Sequence, residues 1–303
     1  MNVHSSYSAA AFETSSPAMD SKLSTRTRVG MIIILTAIIA VICCVLPRIP
    51  QPQSYHLFAD RRSLLGIPNF GDVLSNLPFA IVGFWGLIFL QRTRANIKAG
   101  RFLDVREIWP YRFAFVGLLL TAFGSSYYHL APDNARLVWD RMPMTITFMS
   151  LVAAVIAERI NLRLGLRLLP VLLLVGLASV LQWYSSETKG VGDLRFYATV
   201  QAYSALVILL ALFLPGRYTR RSDFGLVLGF YVLAKALEFF DISIFAALHV
   251  VSGHTLKHVA AAAAGFCILR MLQNRMPVST VSSTEPEGTS PSAVLCSNGA
   301  RQS

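Results

Sequence analysis

The segment GHTLKHVAAAAAGFCILRML, residues 253–272, joins two features that pull against each other. From Val259 onward it is almost wholly apolar, and twenty residues of helix span about 30 Å, the thickness of a bilayer's hydrocarbon core. Yet it opens with His254 and His258, four residues apart and therefore on one face of a helix, about one turn from each other. Two imidazoles so placed can grip one metal ion. The stretch reads as a membrane helix with a polar mouth.

Composition carries the first half of that reading to the whole chain. Of 303 residues, 54% are hydrophobic and 14% charged, and the mean hydropathy is +0.54. A soluble domain carries about a quarter charged residues. Apolar runs of spanning length recur at approximately 29–47, 70–90, 111–130, 139–157, 166–184, 194–214, 224–248 and 251–273. The prediction is all-α: a polytopic transmembrane helix bundle over residues 26–277, with about eight spans. The flanks, 1–25 and 278–303, are rich in Ser, Thr, Ala and Pro without apolar periodicity and are expected to be disordered. No internal repeat is evident, and the four cysteines, Cys43, Cys44, Cys267 and Cys296, form no disulfide framework.

A net charge of +11 would suit a nucleic-acid partner if the basic residues formed a patch, but they fall in alternate loops. Arg92, Arg94, Lys98, Arg101 and Arg106 lie in the second connection, Arg159, Arg163 and Arg167 in the fourth, and Arg217, Arg220 and Arg221 in the sixth. With Lys22, Arg26 and Arg28 ahead of the first run, this is the positive-inside pattern, and it predicts cytoplasmic termini. Basicity therefore reports topology, and no nucleic acid is expected. The resident membrane would be the plasma membrane in a bacterium, or the endoplasmic reticulum or Golgi in a eukaryote. A basic lead before an apolar run also describes a signal peptide. PRIPQPQ follows the run, with no small-residue cleavage site after Cys44, so an uncleaved first helix is expected.

Ionisable side chains inside spans are costly and mark pathways or sites. The third run ends GSSYYHL, which puts Ser125 and His129 on one helical face. Asp140 follows at the start of the fourth run, and His254 and His258 open the last. By the charge-derived topology all five reach one bilayer face, the non-cytoplasmic one. His129 alone, beside Tyr127 and Tyr128, would be an ordinary interfacial residue, and a single His pair on a helix can be coincidence. Together with Asp140 and Ser125 they make a metal site the stronger reading, whereas His4, His56 and His249 lack a partner at matching spacing. Three neutral imidazoles leave one position of tetrahedral zinc open, as catalytic zinc sites do, and such an ion activates water near neutral pH. Asp140 is then the proton carrier and Ser125 a donor to the carbonyl oxygen. In the seventh run Lys235, Glu238 and Asp241 recur every three residues. A Lys235–Glu238 pair would fix helix packing, and Asp241 could instead accept the free ring N–H of a ligating His.

The order G-S-x-x-x-H, then D-x-x-P-M beginning eleven residues after that His, then H-x-x-x-H, resembles the alkaline ceramidases and the wider superfamily of membrane hydrolases that includes the adiponectin receptors. Here the motifs are Gly124-Ser125 to His129, Asp140 with Pro143-Met144, and His254 with His258. Ser75-Asn76-Leu77 is similar to the family's first-helix signature, and the resemblance spans roughly residues 69–273. It implies a seven-helix core holding zinc on His129, His254 and His258, with Asp140 and Ser125 acting on a lipid amide such as that of ceramide. This chain adds a helix ahead of that core. It also lacks the acidic N-terminal cluster through which some alkaline ceramidases bind calcium: Asn69 stands where one acidic residue aligns, and Asp60 and Asp72 are the candidate remnants. Calcium is not carried over. The sequence leaves open a lipid sensor with a structural or vestigial zinc. A transporter would carry its polar residues nearer the midplane.

Overall fold

The computed structural model of the chain describes residues 23–97 and 100–278. The ends expected to be disordered lie outside the described residues over 1–22 and 279–303, as do His4, Lys22, Lys98 and Cys296. Among the described residues the chain is helical, with isolated bridges and no strands. Seven helical stretches are long and apolar enough to cross a membrane, as in a multi-pass membrane protein. They are α1 (Thr25–Val45); α2 (Phe70–Leu74) with α3 (Leu77–Ala95); α4 (Ile108–Leu130); α5 (Asn134–Arg159); α6 (Leu162–Thr188); α7 (Arg195–Phe213); and α10 (Gly253–Asn274).

The run expected to be continuous over 224–248 is instead two helices, α8 (Asp223–Phe239) and α9 (Asp241–Leu248). The 17 residues of α8 extend about 26 Å, at the short end of spanning lengths. The second run is also interrupted. Pro78 sits in the first turn of α3, where its missing N–H costs nothing, and the break at Ser75-Asn76 separates α2 from α3.

Helix α5 is the centre of the bundle, buried without a gap from Met149 to Arg159 and packed against α4, α6 and α7, while α10 packs against α8 and α3. α1 lies at the edge against α7, tied by Thr36 to Tyr203 (3.0 Å) and by Arg28 Nη1 to the Arg159 carbonyl (2.6 Å).

One crossing positions the site. Pro143, inside α5, cannot donate to the carbonyl four residues earlier, that of Trp139. That oxygen faces Gly124 of α4 so closely that a Cβ there would stand 2.0 Å from it. Only glycine admits the approach, and it brings Ser125 beside Asp140. The Gly-Ser and Asp-x-x-Pro motifs are thus two halves of one helix contact.

Candidate metal centre

His129 stands in the last turn of α4 and His254 and His258 in the first turns of α10. One ring nitrogen from each lies within 4.8 Å of the others, all three rings are buried, and together they could hold a metal ion. His129 Nδ1 and His254 Nε2 are buried with no hydrogen-bond partner. Leaving such nitrogens unpaired is costly, and a cation between the rings would remove the cost. The donor set therefore fits a metal.

The third ring is oriented by α2. Ser75 Oγ donates to the Asp72 carbonyl (3.0 Å) and so presents its lone pairs to His258 Nδ1, 2.8 Å away. With the Nδ1 proton so placed, the lone pair of His258 stays on Nε2, free for a cation. We expect Ser75→Ala to weaken metal affinity by about 10- to 100-fold, read by competition with a chromophoric chelator. Unchanged affinity would mean that packing alone orients the ring.

The connection between α1 and α2 covers the site. Phe58 lies 4.6 Å from the His129 ring and 4.4 Å from the His254 ring, centroid to centroid. Its neighbour Ala59 donates its N–H to Asp241 Oδ2 (3.0 Å), while Asp241 Oδ1 accepts the backbone N–H of His254 (2.7 Å). Asp241 therefore serves the backbone at the start of α10. The ring N–H support considered from its spacing is not what it does; Ser75 fills that role for His258. Arg62 bonds both oxygens of Asp60 (2.8 and 2.7 Å) and the carbonyls of His249 and Val250. Its guanidinium holds the Asp60 carboxyl below the usual carboxylate range. Asp72 accepts from Thr255 and Ser252. Neither Asp60 nor Asp72 joins a group of three metal-ligating side chains among the described residues.

The remaining sequence candidates lie outside the three-histidine group. Ser125 and Asp140, brought near each other by the α4–α5 crossing, line a cavity of about 440 Å³ that His258 also borders. His56 bonds Tyr128 and Asn134 (2.9 Å each), His249 ends α9 with a left-handed backbone, and neither joins the three-histidine group. Lys235 pairs with Glu238 (3.0 Å) as its spacing predicts, but Glu238 also binds Lys257 at 2.5 Å. The sequence gives no local signal for that second pair, because its partners sit on α8 and α10. No known protein family and no curated protein matches the chain.

Proposed function

We propose that this protein is a zinc-dependent intramembrane hydrolase that cleaves the amide bond of ceramide or a related N-acyl lipid. One observation carries the reading: three imidazoles converge, two of them with a buried unpaired nitrogen, and the third, His258, borders an apolar cavity that Ser125 and Asp140 also line. The likeness of the Gly-Ser, Asp-x-x-Pro-Met and His-x-x-x-His motifs to the alkaline ceramidases supports it.

His129, His254 and His258 would hold the zinc, which when bound supplies Lewis acidity for the carbonyl and lowers the pKa of water. The lipid's acyl chain would lie along the apolar wall formed by residues such as Phe115, Leu118 and Ile208. Ser125 Oγ donates to the carbonyl oxygen as negative charge develops there. Asp140 takes a proton from the attacking water and returns it to the departing amine nitrogen. The C–N bond breaks, a C–O bond forms, and the products are a fatty acid and an amine. Phe58 keeps bulk water off two of the rings.

We assign both termini to the cytoplasm. Arg28, Arg106, Arg163 and Arg217 surround one basin, and Arg106 precedes α4 whereas His129 ends it. The 23 residues of that helix put about 34 Å between the basic end and the histidine end. The test is incubation of purified, zinc-loaded protein with a panel of N-acyl lipids, ceramide included, with released fatty acid measured by mass spectrometry. Release that stops when zinc is chelated is the expected result. No release from any lipid by zinc-bound protein would favour a sensor.

A further inference from the structure

The cavity wall nearest the histidines is richer in cations than hydrolysis requires. Arg141, Lys235 and Lys257 line it against two acids, Asp140 and Glu238. Lys235 and Lys257 share the single carboxylate of Glu238, which leaves one of their charges uncompensated. Three neutral imidazoles would leave the full charge of a bound metal unneutralised as well.

Arg141 is the least satisfied of the three. It is only 4% exposed, and its guanidinium carbon lies 4.2 Å from the ring centroid of Trp183 and 4.6 Å from that of Tyr197. Nη2 donates to Gln51 Oε1 at 2.6 Å, but Nη1 is buried with no partner at all. Aromatic faces stabilise the cation without using its N–H groups, so Nη1 remains a donor without an acceptor. Tyr55 links the basic groups into one wall: its ring lies 5.5 Å from the Arg141 guanidinium, and its hydroxyl donates to Glu238 Oε1 (3.2 Å). Arg141 follows Asp140 in the chain and Lys257 precedes His258, so the wall is fixed to the same turns as the candidate chemistry.

We infer that the preferred substrate is an acidic N-acyl lipid, whose amide-linked head group carries an anion that pairs with Arg141 and the Lys235/Lys257 side of the cavity. The inference rests on the hydrolase reading and names its substrate class. An anion there supplies the acceptor that Arg141 Nη1 lacks and offsets the excess positive charge, while the apolar remainder of the cavity takes the acyl chain. A neutral head would leave that donor buried and unpaired, which is the arrangement that gives polar sites their selectivity.

The experiment compares N-oleoylglycine, its methyl ester and N-oleoylsphingosine. Two readouts are taken: hydrolysis by the zinc-loaded protein, and binding to the full-length protein after chelation, followed by thermal shift. The free acid is expected to exceed the ester by about 10- to 100-fold in kcat/KM and in affinity, the loss typical of a missing hydrogen bond to a charged group. Arg141→Gln and Lys235→Gln should each narrow that gap. Lys235 is half-exposed, so its variant serves if Arg141→Gln does not fold. Equal or better use of the ester or the sphingosine amide would overturn the acidic-head inference and leave the hydrolase reading standing. Preferential binding of the acid with no cleavage of any amide would do the reverse, keeping an anion subsite in a protein that is not a hydrolase. Equal binding of acid and ester with no cleavage would overturn both.

Discussion

Alanine at His254 or at His258 removes one of three buried ligands, and the purified variant is expected to lose its metal. Structural zinc sites are worth about 10–16 kcal/mol over four ligands, or about 3 kcal/mol per ligand, so each variant should bind at least about 100-fold more weakly. Fold should survive. Both positions lie in α10 where the helix is already capped by Ser252, whose side chain accepts the Thr255 N–H, and anchored by Asp241. Truncating an unpaired imbedded ring also removes an unsatisfied nitrogen, at least at His254. The control is His56→Ala. That ring is engaged by Tyr128 and Asn134, so its loss should leave one equivalent of metal bound, as measured by inductively coupled plasma mass spectrometry. Full metal content in either α10 variant would remove the basis of the site.

Much of this arrangement is legible in the chain, and the parts that are not share a physical reason. The helices are readable because spanning length is set by the bilayer, and the pairs Ser125/His129 and His254/His258 because the helical period puts them on one face. The Asp-x-x-Pro spacing is readable too, once Pro143 is seen to free the carbonyl that Gly124 receives. What stays hidden depends on contacts between segments far apart in sequence. Phe58 lies in an irregular connection with no period to reveal a buried face, and its partners are more than 70 residues away. Ser75 belongs to the recognised Ser-Asn-Leu stretch, but its bond to His258 crosses 183 residues. Lys257 stands inside the quoted GHTLKH with no acidic residue on its own helix, and its partner Glu238 comes from α8. The break at Phe240 has no glycine or proline to announce it in the stretch LEFFDIS. Asp241 illustrates the limit most directly. Its spacing from Glu238 suggests a role toward a ring, whereas both its oxygens are taken by backbone N–H groups of two other segments.

That division bears on which residue can be removed without dismantling the site. Asp140 borders the cavity but is not one of the three converging side chains, so it can be altered while the imidazoles stay in place. Asparagine has the same shape, but it cannot carry a proton. Asp140→Asn is therefore expected to keep one equivalent of metal and the wild-type melting temperature. Fatty-acid release should fall by about 10²- to 10⁴-fold, the usual contribution of a positioned acid–base group. Single-turnover release and metal content are measured on the same preparation, because the two readings separate proton transfer from metal retention. Loss of both together would mean that the Ser125–Asp140 contact holds the α4–α5 crossing in register, with Gly124 and Trp139 as its other half. Retention of both would leave the cavity without its proton carrier, and Glu238, the other acid on the wall, is already committed to two lysines and Tyr55.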